Sequence, residues 1–554
     1  MINFDFLTLK AFLHENTEFF QGARLQKIQQ PTRGELIFYL RNLGETRKLY
    51  VNIHTNFYHL CFMSKENEAK RLIEIPKSPP MFCMLLRKYL EGAKIAKIEQ
   101  PQNERILEFY FETYNELSEK IYLCLAIELM GKHSNVVLYN YDTNVIIGCA
   151  HNIGAEKSRH REMIGGLPYV YPPKQNKKDF LAISFEEFSQ ELRKTDDEPF
   201  KFLNDNFLGI SQVFAKQACS KHKDEKELFL KLQDYLNLKN VFPAISVDWS
   251  KFSLWEELLL EGILVKNVNE MIDKYFAHHQ EAEKIKSLKS KFLLQVGAKL
   301  KKINNSKDKL QKQISSVEKA DFYRKKGDLI MANLYANKDF SKFIEVFDYE
   351  KNSNMKIDLD DTKTLKENAN KYYKLYTKAK TSFVKSNEQI DGLNQEKDYL
   401  EQVLYSIESA ESMEDLLEIQ EEIGIEAKSK KQKAKSDEYT LCPLPFVFCP
   451  KCTVYVGKNN KQNDYIISKL AKDEDVWFHV HNCAGSHVLL KVENSVEPDD
   501  KIIFECAKLA KEHSSARLSS KVGVIYTKRK FLKKPPGANL GYVIYKNEKE
   551  IVVP

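Results

Sequence analysis

The stretch Leu365-Lys-Glu-Asn-Ala-Asn-Lys-Tyr-Tyr-Lys-Leu-Tyr376 opens a run that decides the architecture. Within it Leu365, Ala369, Tyr372, Tyr376, Ala379, Phe383, Ile390, Leu393, Leu400, Leu404 and Ile407 recur at three, four or seven residues, set in Lys, Glu, Gln and Ser. That period is the seam of a coiled-coil helix. An earlier run, Leu288, Phe292, Val296, Leu300, Ile303, Leu310, Ile314 and Val317, repeats the spacing with one local stutter. Between the arms the heptad breaks, and a strand-like Phe343-Ile-Glu-Val-Phe347 appears. The pattern predicts one antiparallel hairpin over 266–425 with a small tip at 327–361. At 1.5 Å per residue an arm of about fifty residues reaches roughly 75 Å, enough to bridge distant sites on something large.

Outward from the hairpin the pattern changes. Residues 1–175 read as α plus β: Glu35-Leu-Ile-Phe-Tyr-Leu40, Lys48-Leu-Tyr-Val-Asn-Ile53 and Arg105-Ile-Leu-Glu-Phe-Tyr-Phe111 alternate with period two, as half-buried strands do. Pro79-Pro80 opens a helical segment carrying Phe82, Leu85, Leu86 and Tyr89, and a turn-rich loop closes the region at Pro172-Pro173. Residues 176–265 hold short helical patterns, with Phe207-Leu-Gly-Ile-Ser211 as a tight turn between two helices. Beyond the hairpin, Lys428-Ser-Lys-Lys-Gln-Lys-Ala-Lys435 marks a solvated basic linker over 426–439. Strand patterns return in 440–554, including Val476-Trp-Phe-His-Val480 and Gly541-Tyr-Val-Ile-Tyr545, around one helical stretch at 500–514. The fold class is therefore α+β and multidomain.

Composition excludes several alternatives. With 554 residues, 43% hydrophobic and 29% charged, the chain holds several packed cores and is not disordered throughout. The net charge of +7 is mild, so only local concentration of cations is informative. No apolar run is long enough to span a membrane, and the start lacks a secretory pattern, so the expected location is the cytoplasm, with reduced cysteines. No nucleophile elbow, phosphate loop, dinucleotide fingerprint or paired acid and base occurs. The chain is expected to act without catalytic residues, cofactor or metal.

The residues suited to chemistry are cationic, amide or aromatic. Val456-Gly-Lys-Asn-Asn-Lys-Gln-Asn-Asp464 places Lys458, Asn459, Asn460 and Asn463 after a strand, where they can act as a polar turn or grip a sugar-phosphate backbone. Trp477 and His479 share one strand face, with His487 on the next strand, a set more consistent with structural histidines than with zinc, or with stacking on bases if exposed. Cys449-Pro-Lys-Cys452 offers half the ligands of a zinc site and reads as a hairpin turn. The densest basic segment, Lys528-Arg-Lys-Phe-Leu-Lys-Lys534 with Arg529, Lys530 and Lys533, suits RNA phosphates. Gly131-Lys-His-Ser-Asn135 is a small cationic turn between two buried strands.

In the order and spacing of these motifs the chain resembles the NFACT family. Val456-Gly-Lys-Asn-Asn-Lys-Gln-Asn463, Asp475-Val-Trp-Phe-His479, Gly485-Ser-His-Val488, Ala507-Lys-Leu-Ala510 and Tyr526-Thr through Lys533-Lys-Pro535 resemble its NFACT-R module, and Met130-Gly-Lys-His-Ser-Asn135 with His160-Arg161 and Tyr171-Pro-Pro173 its NFACT-N module. Phe207-Leu-Gly-Ile-Ser211 resembles its helix-hairpin-helix, and the segment from Gly327 to Tyr335 the coiled-coil tip. The family's Asp-Arg pair appears as Glu104-Arg105. The NFACT-N fold also resembles formamidopyrimidine-DNA glycosylases, but Ile2 and Asn3 replace the proline nucleophile, so base excision is not expected.

The resemblance implies ribosome-associated quality control. The factor would bind a large ribosomal subunit carrying peptidyl-tRNA and recruit tRNA, alanyl-tRNA in bacterial relatives, for message-free tailing of the nascent chain. Peptide-bond chemistry would remain the ribosome's. Implied RNA contacts are Glu104, Arg105, Lys132, His133, Asn135, His160, Arg161, Lys458, Asn459, Asn460, Asn463, Trp477, His479, Ser486, His487, Lys528, Arg529, Lys530, Lys533 and Lys534, with tRNA and rRNA as partners. The competing expectation is a surface adhesin for fibronectin or fibrinogen.

Overall fold

The computed structural model describes residues 4–554 except 72, 102–103, 115–118, 157, 159, 174, 315–317, 337–338, 351, 425–442, 444, 450–451 and 493–497. The basic linker at 428–435 and Cys442 fall outside the described residues. The chain divides into two compact units, Met1–Glu283 and Lys284–Pro554.

The first unit is organised by a nine-stranded antiparallel sheet. Its chain order is α1 (Phe6–Phe20), β1 (Arg24–Gln29), β2 (Glu35–Asn42), β3 (Glu45–Asn52), β4 (His59–Phe62), α2 (Lys65–Arg71), α3 (Met81–Leu90), β5 (Lys94–Glu99), β6 (Ile106–Tyr114), β7 (Lys120–Glu128), β8 (Asn135–Asn140) and β9 (Ile146–Cys149). The strands lie in the order β4-β3-β2-β1-β5-β6-β7-β8-β9. Helix α1 starts where Asp5 accepts from the Thr8 amide at 2.9 Å, and it buries Leu9, Phe12 and Phe20 in the main core. Each of α1 and α3 is followed by a glycine at positive φ, Gly22 (+79°) and Gly92 (+87°), so the chain reverses into a strand through a conformation that residues with a Cβ disfavour.

Four short helices follow: α4 (Phe185–Lys194), α5 (Pro199–Asn206), α6 (Gln212–Lys221) and α7 (Glu225–Leu236). Phe180, Phe188, Phe202, Phe207 and Phe229 interlock among them as edge-to-face or tilted rings. Gly209 (φ +74°) turns the chain between α5 and α6, where a Cβ would meet the Phe6 ring at 2.6 Å. A small sheet of β10 (Ala244–Ser246), β11 (Phe252–Ser253) and β12 (Gly262–Leu264) precedes α8 (Val268–Ile314). The first turns of α8 are tied to α2 by a wholly buried ion pair, Arg71 Nη1 to Asp273 Oδ1 at 2.5 Å, and to β4 by Asn269, which accepts the Phe62 amide at 2.7 Å.

In the second unit the remainder of α8 and helix α10 (Leu365–Ser409) bury Phe292, Val296, Ile303, Leu400, Val403 and Ile407 against each other. Both expected coiled-coil arms are thus long helices. Helix α9 (Glu318–Ala332) runs through Gly327, where a Cβ would lie 2.9 Å from the Tyr373 ring. The tip is a two-stranded ribbon, β13 (Phe343–Asp348) and β14 (Ser353–Asp358), whose Ile344, Val346 and Ile357 pack on Ile330, Leu365 and Ala369.

Helix α11 (Met413–Glu422) folds back on α10 ahead of the last domain. There β15 (Pro445–Cys449), β16 (Cys452–Val456), α12 (Asn460–Tyr465), β17 (Val476–Val480), β18 (Val488–Lys491), α13 (Asp500–Glu512), β19 (Val522–Lys528), β20 (Leu532–Lys533), β21 (Ile544–Tyr545) and β22 (Lys549–Val553) follow in order. The main sheet runs β15-β16-β18-β17-β19-β22. Helix α13 covers one face, and Ile466, Ile467 and Leu532 cover Trp477 and Leu489 on the other. Two local readings are corrected. The expected polar turn after Val456 is a helix capped by Asn459, and the strand expected over 541–545 shortens to Ile544–Tyr545. The backbones of Cys449 and Cys452 pair across the β15–β16 ladder, while their side chains lie outside the described residues.

Candidate nucleic-acid interface

In the first unit the loops at one end of the sheet gather the cations. Ile106 pairs with Glu128, which brings the turn before β6 beside the turn after β7. Arg105 donates from Nη1 to the Tyr58 hydroxyl at 3.3 Å, and its guanidinium lies 5.7 Å from the centre of that ring. Gly131 (φ +63°) opens the turn that carries Lys132 and His133, and a Cβ there would touch the Tyr58 ring at 3.7 Å. Tyr58 therefore joins Arg105 to the Lys132 turn. Lys132 and His133 are exposed, and Glu104 accepts from Gln175 at 3.1 Å.

Two expected contacts in this region are committed elsewhere. Asn135 is buried, donating from Nδ2 to the His151 carbonyl at 2.9 Å and accepting the His151 amide at 3.0 Å, so it pins the loop and offers nothing outward. Arg161 forks onto the buried Glu128 carboxylate at 2.8 and 2.6 Å, with Tyr169 donating to the same group at 3.0 Å. Burial pushes the Glu128 carboxyl up and Arg161 opposes that shift, so the arginine serves an internal charge. His160 is exposed. A neighbouring carboxylate, Glu108, accepts from Tyr110, Tyr139 and Tyr171 at 2.8, 3.0 and 2.7 Å. Its alternation in a strand gave no sign of that cage.

The last domain holds its motif residues mostly inside. Asn459 caps α12 by accepting from the Gln462 amide at 2.9 Å and donates to Glu418 of α11 at 2.5 Å. Asn460 donates to Glu422 at 2.8 Å, and Lys461 pairs with Glu421 at 2.7 Å. Burial pushes the Glu418 and Glu422 carboxyls up. Asn463 accepts the His487 amide at 3.0 Å, and Gly457 leaves room for its oxygen. These amides are engaged with α11 and the chain leading into the adjacent strand.

Trp477 is only 1% exposed, enclosed with His479 and His487, so it cannot stack on a base in this conformation. Burial pushes both histidines down and keeps them neutral. Ser486 is buried in a loop where Gly485 and Gln402 of α10 exchange hydrogen bonds. Ile466, Ile467 and Leu532 cover the sheet face that carries Trp477.

The basic segment splits likewise. Arg529 donates to the carbonyls of Ile467 and Leu532 at 2.8 and 3.2 Å and braces the turn. Lys530 and Lys528 pair with Glu474 at 2.7 and 2.9 Å and hold its carboxyl down to about 2, while Lys534 pairs with Asp464. Lys458 and Lys533 are exposed. Such surface pairs are weak and exchange readily with another polyanion. Among the described residues no group of three metal-ligating side chains gathers, and no helix is long and apolar enough to cross a membrane.

Two sheet modules bearing outward cations, one on each side of a helical hairpin in the sequence, define a modular RNA-binding protein. The chain belongs to the NFACT family: the model for NFACT N-terminal and middle domains matches residues 5–439, and that for the NFACT protein RNA binding domain matches 445–547. It is 32% identical to the Rqc2 homolog RqcH of Bacillus subtilis (strain 168), over 100% of this chain and 98% of that one. It is 29% identical to the Rqc2 homolog RqcH of Streptococcus pneumoniae serotype 2, with the same coverage. Among solved structures, the N-terminal part of a fibronectin/fibrinogen-binding protein from Streptococcus suis aligns at 26% identity over 50% of this chain and 99% of that one, with a TM-score of 0.43.

Proposed function

We propose that the protein is a ribosome quality-control factor that binds large ribosomal subunits still holding peptidyl-tRNA and recruits tRNA for message-free extension of the stalled chain. The observation that carries this reading is the end-to-end similarity to proteins named Rqc2 homolog RqcH, which spans every module at once. The cationic mouth around Arg105, Tyr58 and Lys132 supports it, since an arginine fork and exposed cations suit a phosphate backbone. In this reading Arg105 and Lys132 meet tRNA, while Lys458, Lys530 and Lys533 meet RNA phosphates from the last domain. The protein positions RNA, and the subunit forms the peptide bond.

Sequencing the RNA that copurifies with the tagged full-length chain tests it. Enrichment of tRNA together with large-subunit rRNA is expected, with alanine-accepting tRNA prominent if the tail is alanine. RNA no different from that on an untagged control would overturn the reading.

A further inference from the structure

The sheet of the first unit is built twice. Residues 21–31 read Gln-Gly-Ala-Arg-Leu-Gln-Lys-Ile-Gln-Gln-Pro, and residues 91–101 read Glu-Gly-Ala-Lys-Ile-Ala-Lys-Ile-Glu-Gln-Pro. The copies bond to each other reciprocally. The Gly22 amide donates to Ile95 and the Gly92 amide to Leu25, at 3.0 and 2.7 Å, while Leu25 donates to Ala93 and Ile95 to Ala23, at 3.0 and 2.8 Å. Each strand carries its irregularity at the same place, Leu25/Lys27 and Ile95/Lys97. A local two-fold therefore relates the halves.

The correspondence extends to the mouth. Leu36 pairs with Val51 and Val51 with Leu60, as Leu107 pairs with Ile127 and Ile127 with Val136. The loop before β4 is thus the mate of the Lys132 loop, and both close the same way: the Phe57 amide donates to His54 at 3.0 Å and the His133 amide to Met130 at 3.2 Å. In the preceding turns Gln30 donates to the Arg33 carbonyl at 3.3 Å, as Gln100 does to the Glu104 carbonyl at 3.0 Å. Arg33 accordingly stands where Glu104 stands in the other half. The mate loops meet, because a Cβ on Gly131 would lie 4.0 Å from the Thr55 carbonyl.

Arg33 and His54 are exposed. The nearby carboxylates are engaged, Glu35 with Tyr50 and Thr32, and Glu104 with Gln175. Burial, and after it the nearby Arg33, pushes down His151, whose amide Asn135 accepts at the edge of the other half.

We propose that Arg33 is a second phosphate-binding side chain, and that an RNA backbone crosses the local two-fold between Arg33 and Arg105. This rests on the reading of the mouth as an RNA site. The halves share a scaffold, and each contributes a guanidinium from adjacent positions of the same turn. A single arginine holds one phosphate; two on either side of the axis define the line along which the backbone crosses.

The test uses the full-length chain, fluorescein-labelled deacylated total tRNA, and a salt series. The variants are Arg33→Gln, Arg105→Gln, their double, and Arg41→Gln at the far end of β2 as control. Each mouth variant is expected to reduce the slope of log affinity against log salt by about 0.7 to 0.9, and the double by about twice that, with Arg41→Gln unchanged. Melting temperatures should match wild type, since Arg33 is exposed. A wild-type slope for Arg33→Gln beside a reduced one for Arg105→Gln would overturn this inference and leave the proposed function standing. Wild-type slopes for all three mouth variants would overturn both.

Discussion

Replacing Asp273 with alanine should destabilise the first unit by about 3 to 5 kcal/mol. Arg71 is 1% exposed, and around it Asp273 supplies the carboxylate to Nη1 at 2.5 Å and its own carbonyl to Nη2 at 3.1 Å, while Gln280 accepts from Nε at 3.0 Å. Without the carboxylate the guanidinium stays buried with its charge unmatched. The Ser64 amide and the Asn67 side chain, which donate to Asp273 Oδ2 at 3.0 and 2.8 Å, lose their acceptor as well, which places the cost toward the upper end of that range. For a unit of this size each kcal/mol lowers the midpoint by roughly 2 to 4 °C, so the transition should fall by about 6 to 20 °C. Thermal melting followed by tryptophan fluorescence reads this unit through Trp249 and Trp255. A double variant, Arg71→Met with Asp273→Leu, should be less damaged than Asp273→Ala alone, because no unpaired charge remains. A loss below about 1 kcal/mol in Asp273→Ala, or a double variant worse than the single, would refute the account of the pair as a desolvated charge.

Other consequences concern the last domain. Trp477→Ala should cost about 3 to 5 kcal/mol of stability by emptying a packed site, measured by urea denaturation; an intact fold with lost RNA binding would restore the stacking role. His479 and His487 have folded pKa values below the ordinary one. Their contribution is present above about pH 6.5 and declines below it, by about 1.4 kcal/mol per pH unit per histidine until the folded pKa is reached. His487→Gln should therefore flatten the acid limb of a stability–pH curve, and an unaltered limb would show that the ring charges in place. Glu474→Gln removes the carboxylate that Lys530 and Lys528 share. It should tighten tRNA binding a few-fold in low-salt titrations, and no change would mean the basic segment lies outside the RNA path.

Much of the architecture was legible in the residues because its signals are local. A helix satisfies its own backbone within four residues, so the heptads of Leu288 to Ile314 and Leu365 to Ile407 announced α8 and α10, and alternation announced β2, β3 and β6. The repeat that makes the two-fold, Gly22-Ala-Arg and Gly92-Ala-Lys, was also present in the letters, but seventy residues of spacing hide it from a reading made window by window.

Which cations face outward was decided only in three dimensions. Arg161 is claimed by Glu128, and Lys528 by Glu474, through contacts between residues 33 and 54 positions apart. Asn459, Asn463 and Trp477 have the polar or aromatic chemistry of binders, yet helices and turns from elsewhere in the chain close over them. The order of residues settles backbone geometry because hydrogen bonds there join near neighbours. Exposure and the partner of a charge depend on which distant surfaces meet, and only the folded chain brings those surfaces together.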